Sequence, residues 1–191
     1  MALGEYFAST LIVARKGATW AWEQIYRDLY GPLFGFLRGV GPPEEAEDLV
    51  SETFLSVARD IHAFDGDEDA FRAWVFTIAR RRAVDAWRSR GRTVEMADGD
   101  PFDLGDQRAG GDVEAEALSS LALIELSAVI KNLSATQREV LMLRVVADLS
   151  VKDTAVAMEK SEGAVRVLQN RAITALRASL GRDRAPSRDC A

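Results

Sequence analysis

The chain has 191 residues, 48% of them hydrophobic, and a formal charge of −6, which suffices for one large domain or two small ones with modest cores. It contains no apolar run of about 18 residues, the length a spanning helix needs, and the opening MALGEYFASTLIVARKG lacks a basic leader and a small-residue cleavage site. A cytoplasmic chain with no membrane insertion is therefore expected. With one histidine, His62, and one cysteine, Cys190, imidazole-based catalysis, a disulfide framework and a Cys/His metal cluster all lack their usual members. No catalytic residue, metal or cofactor is expected, and His62 reads as an ordinary helix-end residue.

Near the start, Leu11 to Ala14 and then Trp20 through Leu37 read as a short and a longer helix broken near Gly17, the longer one bending around Gly31-Pro32. Pro42 and Pro43 mark the start of the next helix. There Ala46, Leu49, Val50, Thr53, Phe54, Val57, Ala58 and Ile61 recur as a buried stripe, and Asp48, Ser51, Glu52, Ser56 and Arg59 form the outer face. The acidic turn Asp65 to Asp69 then precedes a helix opened by Phe71, Trp74, Val75 and Ile78 and running towards Arg90, with favourable charge at its start. Residues 91–112 hold five glycines, a proline and several aspartates, the composition of a solvated linker. After it, helical segments are expected over 113–131, 135–147, 151–158 and 162–180, and strand alternation is nowhere convincing. Ser134 with Gln137 and Ser150 with Asp153 have capping-box spacing, and Ser161 stands where a third N-cap is needed. The expected class is all-α: two small helical domains, 1–90 and 113–181, joined by a flexible acidic linker, 91–112, with a disordered tail, 182–191.

A charge of −6 argues at first against a nucleic-acid partner, but its distribution reverses that. Residues 1–90 carry 11 basic against 14 acidic side chains, residues 91–118 carry 2 against 8, and residues 119–191 carry 11 against 8. The acidity sits in the middle. In ARRRAVDAWRSRGR, residues 79–92, six arginines (Arg80, Arg81, Arg82, Arg88, Arg90, Arg92) oppose one acid, Asp85. The aromatics Phe71, Trp74, Phe76 and Trp87 lie around this patch, and cations beside aromatic faces are what unstacked bases bind to. Some of them must be core, Trp74 first. A solvated helix end would also carry such charges.

In the last helix Val165, Leu168, Ala172, Leu176 and Leu180 share one face, while Arg166, Asn170 and Arg177 cluster on another beside Val167 and Arg171. Guanidinium and amide groups near the start of such a helix suit phosphates and base edges in a major groove. Any surface helix can carry them, but the short helix 151–158 just before it makes a helix-turn-helix the better reading.

Taken together, AEDLVSETFLSV (46–57), FDGDEDAFRAWVFTIARRR (64–82) and LSATQREVLMLRVVADLSVKDTAVAM…SEGAVRV…RA (133–172) resemble extracytoplasmic-function sigma factors, the smallest class of the sigma-70 family. The order is a region-2-like helical domain, a linker and a region-4-like helix-turn-helix. The resemblance implies that Asp48, Ser51 and Glu52 bind the clamp helices of the largest subunit of core RNA polymerase. It implies that the 64–71 loop and the following helix capture and melt the minus-ten element, through Phe64, Asp65, Asp67, Phe71, Trp74, Arg80, Arg81 and Arg88. Arg166, Val167, Asn170 and Arg171 would face the minus-thirty-five element, the 135–147 region would engage the polymerase flap, and an anti-sigma factor would control the chain. Five positions depart from the family pattern: Ser51 stands where Gln is usual, Arg81 where Asn is common, Glu159 replaces the common turn glycine, and Leu168-Gln169 replaces Arg-Leu.

The expected function is promoter-specific transcription initiation, with phosphate contacts giving affinity and base contacts selection. The main rival is a stand-alone helix-turn-helix regulator, which binds a symmetric site without polymerase. A helical enzyme is disfavoured, because no phosphate-cradling glycine loop, metal cluster or nucleophile–base pair is present.

Overall fold

A computed structural model describes residues 4–90 and 133–183, and every described regular element is helical. The expected linker 91–112, the expected helix 113–131, Arg92 and Cys190 lie outside the described residues.

The first domain is built from four helices. A short 3-10 turn, Gly4–Tyr6, leads into α1, Phe7–Arg15, which buries Phe7, Thr10, Leu11 and Ala14 at spacings of three, one and three. Gly17 breaks the chain at φ +81, a left-handed conformation that glycine adopts without a Cβ clash. The next helix, α2 (Thr19–Val40), runs without a break through Pro32 and buries Ala21, Ile25, Leu29, Leu33, Phe36, Leu37 and Val40. A mid-helix proline costs about 3 kcal/mol, and the packing of Leu29 and Leu33, on either side of Pro32, offsets it. The bend expected at Gly31-Pro32 does not divide the helix.

Gly41 ends α2 where a side chain would not fit: a Cβ there would lie 2.8 Å from the Leu37 carbonyl oxygen and 3.1 Å from Leu49. A proline turn, Pro43–Glu45, follows, then α3 (Ala46–Asp60) and α4 (Glu68–Ser89). The α4 N-cap is Asp67, whose carboxylate accepts from the Ala70 N–H at 2.8 Å, and Glu68 and Asp69 add negative charge where the helix dipole favours it. Side chains tie the helix ends together. Trp22 donates to the Ala14 carbonyl at 3.0 Å, Trp87 to the Val40 carbonyl at 2.9 Å, and Arg15 to the carbonyls of Ile61 (3.2 Å) and Phe64. Each satisfies a carbonyl at or just beyond a helix end.

The second domain comprises α5 (Ala135–Leu141), a π-helical turn over Met142–Val146, α6 (Val151–Met158) and α7 (Glu162–Asp183). Ser134 and Gln137 form the expected capping box. Ser150 accepts from the Asp153 N–H at 3.1 Å, but no reciprocal backbone bond forms; its hydroxyl donates instead to the Asp153 carboxylate. Ser161 accepts from the Ala164 N–H at 3.2 Å. The helix expected over 135–147 is therefore α-helical only to Leu141. The π turn adds a residue per turn, marked by Ala147 N–H donating to the Met142 carbonyl at 3.0 Å, and it carries Met142 and Val146 to the glycine face of α2.

Burial corrects the sequence reading in three places. Ser56, expected on the outer face of α3, is buried because Arg82 of α4 donates to its hydroxyl at 2.7 Å. Ala58 is exposed and Phe54 only half-buried, because the α3 stripe is narrower than the eight positions suggested. Among the aromatics it is Phe71 and Phe76, not Trp74, that are fully buried: Phe76 meets Phe36 edge-on at 5.4 Å, while half-buried Trp74 stacks on Phe64.

Because Phe36 is fully buried against Phe76 at the α2–α4 contact, Phe36→Ala is expected to cost about 3–5 kcal/mol. Urea denaturation followed by circular dichroism measures this, and a loss below about 1 kcal/mol would place the core elsewhere.

Candidate nucleic-acid and polymerase interface

Asp48, Ser51 and Glu52 are all exposed on one side of α3, where the buried stripe beneath them fixes the helix rotation. Glu52 lies 3.6 Å from the guanidinium of Arg82. Leu55, one turn on, is 71% exposed, and the ring of Tyr26 of α2 meets Phe54 at a tilt, 4.7 Å between centres, so the acidic face borders an apolar one. Periodicity assigned neither Leu55 nor Tyr26 a role.

The candidates around the 64–71 turn divide by burial. Phe64 and Phe71 are buried and pack edge-on at 5.2 Å, and Phe71 also contacts Trp74 at 5.7 Å. Phe71 is 2% exposed, so it supports Trp74 rather than offering a surface itself. Gly66, at φ +155, lets the turn close over Phe64, since a Cβ there would meet that ring at 3.0 Å. Asp65 and Asp67 are exposed, and the Asp67 carboxylate is occupied as the α4 cap.

Along α4 the expected basic patch is present, but its guanidinium groups have acceptors. Arg80 is buried and ion-paired with Glu139 of α5, which is itself 0% exposed. Arg81 donates to Glu159 at 2.9 Å, and that hydrogen bond, with the Arg81 charge, holds the Glu159 carboxyl below its ordinary range. Arg82 reaches Ser56 and Glu52, Arg88 lies 3.5 Å from Asp85, and Arg90 is held by Glu44 and Glu45. Sequence distance hid these acids: all but Asp85 lie at least 26 positions away along the chain.

The helix-turn-helix matches its expected geometry. Val165 and Ala172 of α7 are fully buried, Leu168 and Leu176 partly so, while Arg166, Val167, Asn170 and Arg171 are all exposed on the far side. Arg166 is steadied by Glu162 at 3.0 Å, one turn back, and Gln169 accepts from Arg144 of the π turn at 3.3 Å. The turn residue Glu159 has φ +56. Arg138, on α5, is half-buried, and desolvation lowers its pKa. Among the described residues no group of three or more His, Cys, Asp or Glu side chains could hold a metal, and no described helix is long and apolar enough to cross a membrane.

Residues 22–93 match the family model for sigma-70 region 2 and residues 123–176 that for sigma-70 region 4. The ECF RNA polymerase sigma factor BldN of Streptomyces coelicolor is 34% identical over 85% of this chain, which spans 61% of that protein's length. The ECF RNA polymerase sigma factor SigC of Mycobacterium tuberculosis is 30% identical over 90% of both chains. Among solved structures, the sigma factor RpoE of Bartonella quintana in complex with the anti-sigma factor NepR superposes with a TM-score of 0.68 at 27% identity, covering 85% of this chain and 98% of that one. With a region-2 bundle and a region-4 helix-turn-helix in family order, and relatives of this likeness, the chain belongs to the extracytoplasmic-function class of the sigma-70 family.

Proposed function

We propose that this chain directs promoter-specific initiation by core RNA polymerase, and one observation carries the reading: α7 turns four side chains able to contact bases and phosphates, Arg166, Val167, Asn170 and Arg171, to the outside of the second domain, while the first carries the acidic α3 face and the arginines of α4. The second domain reads the minus-thirty-five element in the major groove. Arginine and asparagine there can pair bidentately with guanine and adenine. Trp74, backed by Phe71 and Phe64, offers a ring face to an unpaired base of the minus-ten element, and Asp65, Asp67, Arg80, Arg81 and Arg88 frame the strand. Asp48, Ser51 and Glu52 meet the clamp helices of the largest subunit, with Leu55 as an apolar anchor at their edge. The 135–147 region engages the flap. The role is one of contact rather than catalysis and belongs in the cytoplasm beside the polymerase. An anti-sigma factor holds the chain inactive, a reading supported by the complex of the similar RpoE with NepR. The domain limits 1–90 and 113–181 serve this division of labour.

A chain of net charge −6 binds DNA weakly by itself, because self-repulsion offsets its basic surfaces, and depends on polymerase to hold both domains at promoter spacing. Core polymerase pull-down with Asp48→Arg and Glu52→Arg should show affinity reduced on the order of tenfold or more; undiminished capture would remove α3 from the polymerase interface. Arg166→Ala and Asn170→Ala should each weaken holoenzyme footprints over the upstream element by about 1–3 kcal/mol, or about 5- to 150-fold. A footprint unchanged by both would exclude α7 as the reading helix.

A further inference from the structure

The turn between α3 and α4 is irregular, and α1 holds it from behind. Ile61 caps the end of α3 and the next regular residue is Glu68, so the backbone of 62–67 lies outside any helical ladder and must be fixed by other bonds. Its two ends are secured by the Ala63 N–H, which donates to the Asp60 carbonyl at 3.0 Å, and by the Asp67 cap of α4. Arg15, the last residue of α1, secures the middle. Its Nε donates to the Ile61 carbonyl at 3.2 Å, and a second guanidinium nitrogen donates to the Phe64 carbonyl.

The strap that carries Arg15 is itself tied down along its length. The Gly4 N–H donates to the Glu68 carboxylate at 2.8 Å, the Phe7 ring meets Phe71 at 5.4 Å, and the Trp22 indole holds the Ala14 carbonyl at 3.0 Å. It therefore begins against the start of α4 and finishes against the end of α3, spanning the turn. Half-buried Arg15 stands where α1 and α3 both end, and the partial negative charge of helix C-termini favours a cation there. A planar guanidinium fork can meet two carbonyls at once in fixed directions, whereas an ammonium is a point charge.

The Phe64 carbonyl and the Asp65 N–H belong to one planar trans peptide. Fixing the carbonyl towards Arg15 turns that N–H to the opposite side and sets the plane from which the exposed Asp65 side chain departs. The same bond helps seat the Phe64 ring on Trp74, 5.2 Å between centres. We propose that Arg15 is a positioning residue for single-strand capture: it holds the turn in one arrangement, so that Asp65 and Trp74 meet an unpaired base without first being ordered. This rests on the sigma-factor reading of the 64–71 turn. Arg15 acts through the backbone and does not touch the strand. A loop ordered in advance loses less freedom on binding than a loose one, and a contacting group displaced by about 1 Å loses much of its effect.

The test uses the full chain with Arg15→Met, which keeps an unbranched stem and removes every donor, and Arg15→Lys, which keeps the charge but not the fork. In the free protein, hydrogen exchange at the bonded amides of Ala63, Ala70 and Phe71 should accelerate about tenfold in Arg15→Met and less in Arg15→Lys, while the amides of α7 exchange as before. With core polymerase and templates randomised across both promoter elements, Arg15→Met should lower base preference within the minus-ten element about tenfold and leave preference within the minus-thirty-five element as it was. Arg15→Lys should recover part of the loss. In an Asp65→Ala background the effect of Arg15→Met should shrink, because both act through one loop. Unchanged exchange at the turn, unchanged minus-ten preference, an equal loss in both elements, or full additivity with Asp65→Ala would overturn the proposal. If Arg15→Met fails to fold, Arg15→Lys carries the same comparisons. Faster exchange at the turn without any start site dependent on the wild-type protein would reject the sigma-factor reading, and with it the capture role, while leaving the brace itself in place.

Discussion

A guanidinium group withdrawn from water needs an acceptor, and Arg72 and Arg80 of α4 impose that requirement on the elements packed around it. Acceptors come from α2 (Asp28), the proline turn (Glu44, Glu45), α3 (Ser56, Glu52), α4 itself (Asp85), α5 (Glu139) and the turn between α6 and α7 (Glu159). The helix is thus the meeting place of the chain. Its apolar side, with Phe71, Val75 and Phe76 buried, completes the first core, and its arginines lace the surrounding elements to it.

The helical framework was largely legible because it follows from local rules. The breaks at Gly17 and at Pro42-Pro43, the cap at Ser134 and the 151–158 helix all emerge from short-range chemistry that sequence displays directly. The exposed face of α7 was legible for the same reason: once Val165 and Ala172 are buried, Arg166, Asn170 and Arg171 have to point away. What stayed hidden depended on partners distant in the chain. The basic patch read as open surface, yet its arginines have acid partners, and Ser56 read as outer-face polar until Arg82 arrived from α4. The π turn at Met142–Val146 has no strong sequence signature and serves tertiary packing, setting Met142 and Val146 against glycines a hundred residues earlier.

The departures from the family pattern acquire a common logic in this setting. Arg81, where asparagine is common, and Glu159, where glycine is common, are partners in one ion pair. Neither is explained by its own helix. Together they link α4 to the turn of the helix-turn-helix and make the change at each position intelligible. Leu168-Gln169 likewise changes the inner edge of α7, with Leu168 partly buried and Gln169 accepting from Arg144, and leaves the four outward residues exposed.

In vitro transcription from a promoter-containing genomic library, comparing core RNA polymerase with and without the protein, tests the central claim most directly. The account predicts new start sites that depend on the protein and share sequence elements near minus ten and minus thirty-five. Unchanged initiation, together with tight sequence-specific DNA binding in the absence of polymerase, would contradict it.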